Sequence, residues 1–128
     1  MTGERKVCCA GSCHCGKVQF RAMIAETLTA HRCNCSICSM CGYLHVIVSS
    51  DDLEVIQGWD DLQEYQFNTR QARHLFCQTC GIKPFYVPRS HPQGYSINLA
   101  CLELEDRVTV LIEDFDGKNW ARNVGKIT

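Results

Sequence analysis

From Lys17 onward, apolar and polar residues alternate in short stretches. Val18, Phe20 and Ala22 fall on one side and Gln19 and Arg21 on the other, the two-residue period of a half-buried strand. Residues 28–32 read as a second strand, 44–48 as a near-continuous β-branched run, and 53–56 and 63–67 as further alternating stretches, with Gly58, Asn68 and the run 49–52 punctuating between them. Residues 73–76, 83–87, 95–99 and 108–112 complete the set, and strands this short at this spacing predict a mostly β fold, a sandwich or an open barrel. Helical periodicity is confined to two turns, 36–42 and 117–123, the second with Trp120 as an apolar anchor. Trp59 and Trp120 are expected to pack rather than to react. Residues 1–10 are polar and turn-like, predicting a short N-terminal arm laid on a single domain over residues 11–128.

Composition bounds the function. Apolar types make up 45% of the 128 residues and charged types 21%, ordinary proportions for a folded chain with one core. Thirteen Lys and Arg against 14 Asp and Glu leave a net charge of −1, so no basic face is expected for a nucleic-acid backbone. No apolar run is long enough to span a membrane, and no apolar segment follows the charges at the N-terminus. A soluble, cytoplasmic protein in a reducing compartment is the expectation.

Cysteine changes the picture: there are 11, an odd number at a density that signals a cross-linked or metal-stapled fold. In a reducing compartment metal binding is favoured over disulfides. Cys77 and Cys80, separated by two residues and followed by Gly81, have the spacing of a knuckle whose two sulfurs turn back onto one metal. Cys13 and Cys15, also followed by a glycine, are the natural complement, and together they would close a site of four thiolates. Cys33, Cys35 and Cys38 form a second group with three ligands. Spacing leaves two outcomes for it: an open fourth position, as in a catalytic zinc, or closure by a remote residue or by Cys41. Cys8 and Cys9 would lie on the arm, and Cys101 reads as a small apolar residue.

The segments GSCHCGKVQF at 11–20, CNCSIC at 33–38 and FCQTCGIKPFYVPRS at 76–90 resemble the family of glutathione-dependent formaldehyde-activating enzymes and centromere protein V. The resemblance runs from Gly11 to about Trp120. It implies a zinc-bearing β-tent fold and two Zn²⁺ ions per chain. Cys13, Cys15, Cys77 and Cys80 would be ligands of a structural zinc, and Cys33, Cys35 and Cys38 ligands of a second. It also implies a carbon–sulfur lyase that makes or breaks the adduct of glutathione with formaldehyde. Cys41 departs from the family pattern.

Zinc bound by three thiolates is a weak Lewis acid toward water but holds a substrate thiol as thiolate, the form that attacks a carbonyl carbon. The three cysteines would therefore anchor, with His45 the candidate general acid. Glutathione carries two carboxylates, for which Arg32 and Arg89 are candidate contacts, with Arg70 and Arg73 nearby in the chain. His14, His31, His74 and His91 receive no role. The rival reading is a non-catalytic, zinc-stabilised binding module. An open second site is favoured, because Gly42 lets the chain leave the metal just after Cys41.

Overall fold

The computed structural model describes residues 5–33, 36–66 and 72–115, with the side chains of Ser36 and Cys38 excepted. Eleven strands, β1 (Lys6–Ser12), β2 (Gln19–Ala25), β3 (Thr27–Cys33), β4 (Leu44–Ser49), β5 (Leu53–Gln57), β6 (Leu62–Tyr65), β7 (His74–Cys77), β8 (Phe85–Tyr86), β9 (Gly94–Asn98), β10 (Leu102–Glu103) and β11 (Thr109–Phe115), and one short helix, α1 (Ser36–Cys41), account for its regular structure beyond three single 3₁₀ turns. The expected mostly β fold is what the chain forms.

The strands make a four-stranded sheet in the order β10-β1-β2-β5, a five-stranded sheet in the order β11-β3-β4-β9-β8, and the hairpin β6-β7. The chain turns from β2 in the first sheet to β3 in the second through the single residue Glu26. Its amide donates to the Arg5 carbonyl (3.0 Å) and its carbonyl accepts from the Thr109 amide (2.7 Å), so both backbone groups of the corner are satisfied.

One apolar cluster joins the sheets: Val7, Cys9, Phe20, Ala22 and Ile24 from the first, Leu28, Ala30, Val46, Phe85 and Ile97 from the second. Phe20 meets Phe85 edge-on at 5.2 Å. Trp59 stacks on Phe85 at 6.3 Å and is half-exposed, in line with a packing role. No helix among the described residues is long and apolar enough to cross a membrane.

The expected arm is corrected: residues 6–10 belong to β1, an inner strand hydrogen-bonded to both β2 and β10. Its exposure alternates, with Val7 and Cys9 buried and Cys8 facing out. The sequence reading missed it because residues 1–10 read as polar and turn-like, whereas Cys9 behaves here as a small apolar residue on the inner face of the strand. β10, two residues long, was also missed. The turn expected at 36–42 is α1, whereas the turn at 117–123, Trp120 and Asn68 lie outside the described residues.

Candidate metal centre and the polar face of the second sheet

Two turns build the cysteine site. The first joins β1 to β2: the Cys13 amide donates to the Val18 carbonyl (3.1 Å) and the Gly16 amide to the Cys13 carbonyl (3.2 Å), while the Val18 amide donates to the Cys13 sulfur (3.4 Å). The second follows β7: the Cys77 amide donates to the Ile82 carbonyl (2.9 Å) and the Gly81 amide to the Cys77 carbonyl (2.8 Å). Each turn closes on a glycine in the left-handed region, Gly16 at φ 81° and Gly81 at φ 78°, which explains the glycine after each second cysteine. Lys17 Nζ donates to Thr79 Oγ1 (3.3 Å), linking the turns.

The sulfurs of Cys13, Cys15, Cys77 and Cys80 all lie within 4.8 Å of one another, with Cys13–Cys15 at 3.6 Å and Cys15–Cys77 at 3.7 Å. Four sulfurs at 2.3 Å from a tetrahedral zinc stand about 3.8 Å apart, so the donor set and its spacing fit that ion. Cys13 and Cys77 are buried and Cys15 is exposed, so the site roots in the core and opens at one corner. Burial pushes Cys80 up, but the amides of Cys15 and Ile82 and the sulfurs of Cys77 and Cys13 outweigh it and bring the thiol down to about 6. The Lys17 amide pulls Cys15 down, yet desolvation and the sulfurs of Cys13, Cys77 and Cys80 hold it up at about 11. Opposite shifts on neighbouring thiols are the behaviour of acids crowded around one point, which give up their protons as a group. The described cysteines are thiols rather than disulfides. Cys101, partly buried in the turn Leu99–Cys101, is raised to about 11 by burial and by Cys13 and Cys80.

Of the second group, Cys33 ends β3 and is partly buried, while Cys35 and the Cys38 side chain lie outside the described residues. Cys41 ends α1 with an exposed side chain. Arg32 is exposed, its Nε 3.7 Å from Asp114 across the β3–β11 pair. Arg89 is partly buried, Arg73 bonds Glu64 (2.7 Å), and Arg70 lies outside the described residues.

His45 is 5% exposed, and its Nδ1 contacts Ser96 Oγ (2.8 Å) and the Tyr86 hydroxyl (3.2 Å). Register explains the grouping. His45 stands opposite His31 and Asn98, and Ser96 opposite Tyr86, so these residues share one face of the second sheet. Val46, Ile97 and Phe85 occupy the other face, toward the core. The polar face also holds Tyr43, whose hydroxyl donates to the Ser96 carbonyl (2.6 Å), and His74, stacked on Tyr86 at 4.7 Å. Lys83, 9% exposed, lies between the rings. Sequence reasoning missed Tyr43, His74, Lys83, Tyr86 and Ser96; a lysine opening the apolar run 83–87 was the available signal.

Fold and site together define a mostly β protein with a four-cysteine group of metal-binding geometry. The sequence matches the family model of the glutathione-dependent formaldehyde-activating enzyme over residues 8–117, and the chain belongs to that family. A Halomonas elongata protein provisionally named a glutathione-dependent formaldehyde-activating enzyme is 28% identical over 117 residues, covering 81% of this chain and 74% of that one. A crystal structure of a Rhodobacter sphaeroides protein is similar, with a TM-score of 0.67 and 38% identity over 80% of this chain and 99% of that one.

Proposed function

We propose that this chain is a zinc-dependent carbon–sulfur lyase of the reducing cytoplasm, acting on the adduct of glutathione, or another small thiol, with formaldehyde or a small aldehyde. The observation that carries the reading is the family match over residues 8–117, which spans all three cysteine motifs. In this reading Cys13, Cys15, Cys77 and Cys80 hold one structural zinc, four thiolates leaving it no open position. Cys33, Cys35 and Cys38 hold a second, with Cys41 outside its shell; the exposure of the Cys41 side chain supports that choice. When bound there, zinc supplies a stabilised substrate thiolate at neutral pH.

The residues of the chain do the rest. Ser96 and Tyr86 hold Nδ1 of His45, so His45 exchanges its proton with the adduct oxygen at Nε2. Arg32 and Arg89 meet the thiol's carboxylates, the paired Asp114 being exposed and readily displaced from Arg32. Protein purified without chelator is expected to contain about two zinc ions per chain, checked by elemental analysis. The catalytic test is exchange of the hydroxymethyl group at equilibrium above the spontaneous rate. Wild-type protein should accelerate it and Cys35→Ser should not; equal rates remove the lyase reading. Cys41→Ser should keep both zinc ions and thiol binding, whereas loss of the second zinc would make Cys41 its fourth ligand.

A further inference from the structure

The polar face of the second sheet holds a charge that the reading above does not use. Lys83 Nζ lies 2.5 Å from His74 Nδ1, 3.9 Å from the centre of the Tyr86 ring and 5.1 Å from that of Tyr43. With Lys83 as the donor in that contact, His74 is a neutral acceptor at Nδ1 and carries its own proton on Nε2. Two aromatic faces attract a cation and not a neutral amine. Burial opposes the charge, while the two ring faces and the His74 nitrogen favour it, so we read Lys83 as a positive donor held in place by aromatic walls.

Its place in the fold bears on the lyase chemistry. Tyr43 follows α1 by one residue and starts the chain into β4, so the lysine is packed against the segment that returns from the second cysteine group. Tyr86 joins the lysine to His45, offering its ring face to one and its hydroxyl to the other. Asn98 Nδ2 donates to the Lys83 carbonyl (3.0 Å), fixing the backbone from which the side chain leaves. Lys83 is 9% exposed, which suits contact with a small oxygen atom better than with a tripeptide's carboxylates, for which the exposed Arg32 is the better partner.

Resting on the lyase reading, we infer that Lys83 is a further catalytic residue, whose ammonium stabilises the aldehyde oxygen as the carbon–sulfur bond forms or breaks. In synthesis the thiolate sulfur gives its electron pair to the aldehyde carbon and the carbonyl π pair moves onto oxygen. Lys83 stabilises that negative charge, and the proton from His45 then completes the hydroxyl. In cleavage the hydroxyl returns its proton to His45, the carbonyl re-forms, and the electron pair leaves with sulfur.

The test uses the zinc-loaded full chain and the hydroxymethyl-exchange assay, with thiol affinity measured separately. Lys83→Met should lower kcat on the order of 10²-fold, the usual loss for one donor to a developing oxyanion, with glutathione affinity and zinc content unchanged. Lys83→Arg should be more active than Lys83→Met. Weakened glutathione binding with unchanged kcat would make the lysine a carboxylate contact and overturn the inference, as would two variants as active as wild type. Wild-type protein that does not accelerate exchange overturns the lyase reading and this inference with it. Should the variants fail to fold, a crystal structure of wild type with the hydroxymethyl adduct decides. The adduct oxygen is expected within about 3.2 Å of Lys83 Nζ, and a position away from it overturns the assignment.

Discussion

At the scale of single residues, burial separates the cysteines that the sequence presents alike. Cys77 is 0% exposed and Cys13 2%, so both sulfurs are committed to the interior, while Cys8 and Cys41 face outward. Cys77→Ser is expected to lose the metal and more than ~3 kcal/mol of stability, because binding at a structural zinc is folding free energy. Thermal unfolding with metal analysis checks this, and a cooperative transition at the wild-type temperature would refute it. His91 supplies a pH signature. Burial, then the charge of His31, depress its pKa below the ordinary 6.5, while Ser90 Oγ contacts its Nδ1 at 2.8 Å. The unfolded chain therefore takes up the proton first as pH falls. Stability from this group is complete above pH 6.5 and is lost as pH drops through the depressed folded value. Urea unfolding at successive pH values should show a smaller acid-side loss in His91→Gln than in wild type.

At the scale of elements, glycines do two different jobs. Gly11 stands opposite Phe20 across β1 and β2, and a Cβ there would lie 2.2 Å from Phe20 Cζ. Gly81 has nothing within 4 Å of such a Cβ but sits at φ +78°. Gly11→Ala is thus a packing insult, expected to cost about 1–3 kcal/mol and to displace the Phe20 ring. Gly81→Ala is a torsional one, about 1 kcal/mol, felt mainly as weaker metal retention. Denaturant titration separates them: added zinc should recover the second variant more than the first. Most strands were legible, because alternation survives in residues such as 19–24 and a β-branched run marks 44–48. β1 was not, since its inward positions are a valine, a cysteine and a glycine, and two of those three carry little hydrophobic signal.

For the whole molecule, the four-cysteine site ties the β1–β2 turn to the turn after β7, sequence positions more than sixty residues apart. A metal there closes a long loop and joins the first sheet to the β6-β7 hairpin. The second group hangs on one connection, β3 to β4. On the two-zinc proposal, stepwise chelation is therefore expected to release one metal with the β-sheet circular dichroism intact, and to unfold the chain only when the metal of the four-cysteine site leaves. Simultaneous loss of both metals and the fold would place the second group in the structural framework.

Local spacing in the sequence determined the strand periodicity and the two cysteine pairs, because two-residue alternation and chelate bite are short-range properties, while the family resemblance suggested that the pairs, more than sixty residues apart, meet at one site. Tertiary structure alone decided the rest. Tyr43 comes from just before β4 and His45 from its start, His74 from β7, Lys83 and Tyr86 from the run around β8, and Ser96 from β9. Nothing in their spacing marks them as neighbours. They meet because strand register puts His45, Ser96 and Tyr86 on one face, and because His74 and Lys83 pack over it. A one-residue slip of any of those strands would send its contributor to the opposite face, so only the assembled sheet specifies that buried charge and its aromatic walls.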